Sequence, residues 1–153
     1  MKVDLQTLRK HIGDQLPASR VEVEKELIRR FARVIGLTNP IHFDEAAAKA
    51  AGYRSLVAPP TFFTVMEEMS PPSMAPIVHL GFDATSSLHA QQRFEYHEPI
   101  CAGDEIEISE RIVDIFDKKD GELIFIVSEC TGTNQAGQVT IKTRATNVVR
   151  QDR

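Results

Sequence analysis

Ala58-Pro59-Pro60-Thr61-Phe62-Phe63-Thr64-Val65-Met66-Glu67-Glu68-Met69-Ser70-Pro71-Pro72 runs between two proline pairs. Proline suits the first turn of a helix, where its missing N–H has no intrahelical partner to lose, and it is excluded from the interior. The first pair therefore opens a helix and the second closes it, which predicts a helix over about residues 60–70. Phe62, Val65, Met66 and Met69 make an apolar stripe at helical spacing, and apolar bulk reaches most sides of the segment. Such a helix is expected to be buried.

The two flanks of this helix differ in period. On its N-terminal side the chain reads helical. Leu5, Leu8 and Ile12 share a face over 5–12, stopped by Gly13-Asp14 and Pro17. Residues 20–23 alternate as a short strand. Leu27, Ile28, Phe31, Val34 and Ile35 recur at helical spacing over 24–35, with Gly36 as the stop and Thr38-Asn39-Pro40 as a turn. Asp44 caps an alanine-rich helix over 45–51, closed by Gly52. On the C-terminal side the chain reads as strands. Residues 88–96 alternate weakly, and 99–104 form a turn. Ile106, Ile108 and Ile112 share one face of 105–114 before a slip. Lys118-Lys119-Asp120-Gly121 is a hairpin signal, followed by strands over 123–129 and 139–149. Helices, one central buried helix and then a meander imply an α+β domain with an antiparallel sheet wrapped on that helix.

A length of 153 residues predicts one domain over 1–153. Hydrophobic residues at 42% and charged residues at 26% exclude collagen-like and disordered classes. The net charge of −4 comes without any basic block, so a nucleic-acid partner is not expected. No apolar run approaches the roughly 20 residues that span a bilayer. Met1-Lys2-Val3-Asp4-Leu5-Gln6 has no apolar leader core. Cys101 and Cys130 belong to no Cys-x-x-Cys pair and read as reduced thiols, which predicts a cytoplasmic protein. His79, His89 and His97 stand at no metal-ligand spacing with one another or with the cysteines, so neither a metal nor a cofactor is expected.

Gly36-Leu37-Thr38-Asn39-Pro40-Ile41-His42 resembles the hydratase motif of MaoC-like proteins, Asp-x-Asn-Pro-(Ile/Leu/Val)-His. Gly13-Asp14-Gln15-Leu16-Pro17, Ala48, Gly52, Val57-Ala58-Pro59-Pro60-Thr61-Phe62, Phe94-Glu95-Tyr96 and Pro99-Ile100-x-x-Gly103-Asp104 extend the resemblance over nearly the whole chain. Within the superfamily it is nearest to HadA- and HadC-type subunits and the N-terminal MaoC-like dehydratase domain. The resemblance implies a hot-dog fold, an acyl thioester of coenzyme A or acyl carrier protein as ligand, and a homodimer or heterodimer of hot-dog subunits paired edge to edge.

Hydration of a 2-enoyl thioester needs one group to take a proton from water as it attacks the β-carbon and one to deliver a proton to the α-carbon. In the family an Asp and a His supply these, and a backbone N–H at the start of the central helix polarises the thioester carbonyl. By the same resemblance His42 falls on the catalytic His, and Asn39 supports it. The helix start, Ala58, Pro60, Thr61 and Phe62, falls on the substrate-binding segment. The Asp position falls on Leu37, which cannot hold water or move a proton. Pro60 has no N–H, which leaves that of Thr61. The first reading is therefore a hydratase or dehydratase of 2-enoyl and 3-hydroxyacyl thioesters in fatty-acid-type metabolism. The alternative is a catalytically impaired, acyl-binding subunit that works with a partner carrying Asp and His. A third is a hot-dog thioesterase using Glu67 or Glu68. The bland readings stand beside these: Asn39 as a turn former, Asp44 as a cap, Glu67 and Glu68 as solvated or dimer-facing carboxylates, and Cys101 as an inert turn residue. By the fold resemblance, one or two of Phe62, Phe63, Met66 and Met69 line an acyl tunnel.

Overall fold

Alternation of isoleucines with charged residues places the longest segments of the chain in strands. The computed structural model describes residues 3–70 and 74–151, so Pro71-Pro72 lies outside the described residues. Strands β1 (Ser19–Glu22), β2 (Ser87–Tyr96), β3 (Glu105–Lys118), β4 (Leu123–Thr133) and β5 (Val139–Arg150) form one antiparallel sheet in the order β1-β3-β4-β5-β2. The slip seen in the sequence of β3 is a β-bulge: the pairing with β4 shifts between Ile112 and Asp114. One extra residue there resets the alternation, so that Ile112 and Ile115 are both buried. At the predicted hairpin, Lys119, Asp120 and Gly121 all take positive φ.

Among the described residues, five helices accompany the sheet: α1 (Leu5–Arg9), α2 (Lys25–Val34), α3 (Glu45–Ala50), α4 (Phe63–Met69) and α5 (Ala75–His79). Asp44 caps α3 as expected, its Oδ1 accepting from the N–H groups of Ala46 and Ala47. Helix α4 is the central helix, lying on the sheet in the hot-dog arrangement. Phe62, Phe63 and Met66 pack with Val21, Ile106, Ile108 and Ile141 in one core cluster. Beyond the bulge, Leu8 and Ile77 pack with Ile112, Ile115 and Ile124 in a second. No helix among the described residues is long and apolar enough to cross a membrane.

The structure corrects the sequence on the central helix in two respects. The helix begins at Phe63, not at Pro60. Residues 59–64 form tight three-residue closures instead, with Phe62 N–H bonded to Pro59 C=O and Thr64 N–H to Thr61 C=O. The helix is also not buried all round, because Met69 is 48% exposed. Helix α5 was not foreseen; it follows Met74, whose φ is 57°.

The segment that carries the site is held by a buried carboxylate. Asp104 is fully buried, receives Nη1 and Nη2 of Arg54 at 2.6 and 3.0 Å, and accepts from the Cys101 N–H at 2.8 Å. Burial pushes its carboxyl up, but the Arg54 guanidinium, the Cys101 N–H and the Gln135 amide outweigh it and hold it below the usual range. This ties residues 54–58 to the turn before β3.

Candidate active site

Helix α2 ends at Gly36, where φ is +75°, and the Leu37 N–H reaches back to Ala32 C=O at 2.9 Å. This glycine-closed end turns the chain directly into the motif. Asn39 caps the following 3-10 turn, Pro40–His42, its Oδ1 accepting from Ile41 N–H at 3.2 Å. Its carboxamide oxygen is thus engaged in shaping the turn that delivers His42.

His42 is buried, and its Nδ1 lies 2.7 Å from Val57 C=O. A carbonyl only accepts, so Nδ1 carries a proton, and in the neutral ring that leaves Nε2 with its lone pair. The Val57 N–H bonds Ile41 C=O, while Ala58 N–H bonds Ile100 C=O and Ala102 N–H bonds Leu56 C=O. Residues 56–58 are therefore an extended segment between His42 on one edge and residues 100–102 on the other. The imidazole is oriented by the backbone that enters the central helix.

Leu37 is half-buried. The carboxylates next to His42 in sequence are engaged: Asp44 caps α3 through Oδ1, and Glu45 receives Lys25 Nζ at 2.9 Å and Ser55 Oγ at 3.1 Å. The Lys25 and Ser55 contacts hold the Glu45 carboxyl below its ordinary value, the wrong direction for a proton donor at neutral pH.

The helix start divides the remaining candidates. Ala58 and Pro60 line a hollow of about 230 Å³ together with Phe63, Tyr96, His97 and Ile141. The Tyr96 hydroxyl donates to Pro60 C=O at 3.1 Å and closes one side of it. Thr61 is exposed, and among the described residues its N–H has no backbone acceptor. Phe62 is fully buried, edge-on to Phe31 at 5.7 Å, within the core cluster. Cys101 is buried and bridges Val57, and burial pushes its thiol up, away from nucleophilic use.

A second feature was not legible in the sequence. Glu67, expected as a solvated or dimer-facing carboxylate, turns under α4, where Thr143 Oγ donates to its Oε1 at 2.8 Å. It lines a cavity of about 90 Å³ with Glu110, Cys130, Ser128 and Gln92. Gln92 Nε2 is buried there and finds no partner among the described residues. Burial drives the Glu67 and Glu110 carboxyls above their ordinary values, against the opposing bonds from Thr143, Ser128 and Cys130. Burial likewise raises the Cys130 thiol, so it stays neutral. A carboxylate whose folded pKa is raised contributes stability below its unfolded value, near 4.3, and loses it as pH rises through the folded value. Glu67→Gln keeps the acceptor for Thr143 and removes the charge. Its thermal midpoint is expected to exceed that of the wild type at pH 7–8, with the difference closing toward pH 4; parallel profiles would contradict the buried placement. Glu68 is exposed at the same helix end.

Residues 10–143 match the family described as FAS1-like, dehydratase domain region. A UPF0336 protein of Clavibacter michiganensis subsp. michiganensis is 33% identical over 141 residues, 92% of this chain and 93% of that one. Among solved structures, the C-terminally truncated HadBC (3R-hydroxyacyl-ACP dehydratase) complex of Mycobacterium tuberculosis superposes with a TM-score of 0.76 at 27% identity. The match covers 97% of this chain and 99% of that one. A MaoC-like dehydratase superposes with a TM-score of 0.83 at 28% identity over 94% of this chain and 43% of that one.

Proposed function

Because the chain belongs to the FAS1-like dehydratase domain region family, within the MaoC-like dehydratases, we propose that it serves the reversible hydration of 2-enoyl thioesters to 3-hydroxyacyl thioesters as the acyl-holding subunit of a hot-dog heteromer. The thioesters are those of coenzyme A or acyl carrier protein. The observation that carries this reading is Leu37 at the place of the acid, with Asp44 and Glu45 both committed elsewhere. In this reading His42, fixed through Nδ1, meets the ligand through Nε2, and Asn39 holds the turn that aims it. The Thr61 N–H polarises the thioester carbonyl, and Ala58 and Pro60 form the wall beside it. The partner subunit brings the Asp and His that take a proton from water at the β-carbon and return one to the α-carbon.

The pairing surface in this reading is the edge strand β2, whose Leu88 and Tyr96 are 72% and 56% exposed. An uncovered edge of this length is a template for another sheet. Residues 1–153 then act as one hot-dog domain, and the reduced thiols Cys101 and Cys130 suit the cytoplasm. Tagged protein purified from its own cells tests the proposal. A second small hot-dog chain with an intact Asp-x-Asn-Pro-x-His motif is expected to co-purify, and the complex to hydrate 2-enoyl-CoA where this chain alone does not. Recovery as a homomer that hydrates alone would overturn it in favour of a self-sufficient hydratase. Release of free coenzyme A thiol dependent on Glu67 would overturn it in favour of a thioesterase.

A further inference from the structure

The turn after α1 is stitched to β3 from both sides. Gly13 N–H donates to Ile112 C=O at 2.8 Å, and Ile112 N–H donates to Asp14 C=O at 3.0 Å. These bonds fall at the β3 bulge, and Asp14 N–H closes on His11 C=O at 3.1 Å. His11 and Asp14 are thereby set on a fixed piece of backbone. Opposite them stands His79, the last residue of α5. That helix is anchored by Ile77 and followed by Leu80, both in the core cluster that contains Leu8.

The three side chains converge. His11 Nδ1 lies 2.8 Å and His79 Nε2 lies 2.7 Å from the same atom, Asp14 Oδ2. The rings meet edge to face, with centroids 5.4 Å apart. One ligand-capable atom from each residue lies within 4.8 Å of the others. In a tetrahedral zinc site with bonds near 2.0–2.1 Å, ligand atoms stand about 3.3 Å apart. The nitrogen–oxygen contacts of 2.8 and 2.7 Å are shorter than this, so the part-exposed side chains must open slightly to admit an ion. Two imidazole nitrogens and one carboxylate oxygen suit first-row transition ions and not magnesium or calcium, which prefer all-oxygen shells. The side chains are 36–40% exposed, so water completes the coordination.

We propose that His11, Asp14 and His79 form a binding site for one divalent transition-metal ion of the zinc type, which clamps α5 to the turn after α1. The site is separate from the His42 region and does not depend on the function proposed above. Its consequence reaches the cavity under α4, because Met74, Ala75 and Pro76 at the start of α5 line that cavity. An ion at the far end of α5 stiffens one of its walls.

Chelator-stripped full-length protein titrated with zinc tests this, with stoichiometry read by calorimetry and the thermal midpoint followed. One ion per chain is expected. At about one hundred times Kd the midpoint rises by roughly 5–10 °C for a chain of this size. Magnesium and calcium leave it unchanged. His79→Ala, on the partner element, is expected to keep the fold and lose at least tenfold in zinc affinity. His11→Ala loses as much, and His97→Ala loses nothing. Absence of a zinc response in the wild type would overturn the site. So would a response retained in His11→Ala and His79→Ala, or one lost in His97→Ala.

Discussion

Leu37→Asp raises the rate at which the isolated chain hydrates a 2-enoyl-CoA by about 10²–10⁴-fold, the usual contribution of one member of an acid–base pair. The backbone at this position needs no rearrangement. Its conformation is set by Gly36 at φ +75° and by the Leu37 N–H on Ala32 C=O, neither of which involves the side chain. The site is half-buried, so a carboxylate there remains partly solvated. His42 already has the tautomer a proton-accepting partner needs, fixed by Val57 C=O at 2.7 Å. Leu37→Asn has the same size without the titrating group and is expected to gain nothing. Leu37→Asp combined with His42→Ala is expected to lose the gain. Measurement follows the loss of the conjugated enoyl-thioester absorbance. An unchanged rate in a Leu37→Asp protein with wild-type unfolding behaviour would show that Leu37 does not occupy the place of the acid.

Phe63→Ala costs about 3–5 kcal/mol, a large fraction of a domain's stability. Phe63 is 1% exposed and sits where α4 meets the sheet. Its ring fills the notch left by Gly132 on β4. A Cβ added at 132 would stand 2.7 Å from Phe63 Cε2 and 3.0 Å from Ile141 Cγ2. The glycine is therefore needed for close approach of helix and sheet. Gly132→Ala alone is expected to cost about 1–3 kcal/mol through overpacking. The double variant should cost less than the sum, because the new methyl enters the space the ring vacates. Urea unfolding of the four proteins reads the coupling. Strict additivity would contradict this packing.

What the sequence could carry followed from how far its signals reach along the chain. The Asp44 cap, the Lys118-Lys119-Asp120-Gly121 hairpin and the slip after Ile112 are local, and each stands in the structure as the residues imply. The stripe of α4 was legible too, but its start was not. The three-residue closures at 59–64 are a backbone pattern that apolar periodicity does not register. Helix α5 is five residues long, shorter than a window in which helical period can be seen. Glu67 looked solvated or dimer-facing because its partner Thr143 is 76 residues away and only the sheet brings them together. His79 meets Asp14 across 65 residues, so no spacing rule could pair them. At the motif, the resemblance put His42 on the family's His and Leu37 on its Asp position. The orientation of the imidazole required the 56–58 segment to be in place.

The most direct measurement follows binding and turnover of one 2-enoyl-CoA series, short to long, by the purified isolated chain beside its His42→Ala variant. The account predicts saturable binding by the wild type with no loss of enoyl-thioester absorbance, and weaker binding by His42→Ala. Turnover by the wild type that His42→Ala abolishes would contradict it, since the chain would then hydrate with leucine, not aspartate, at position 37.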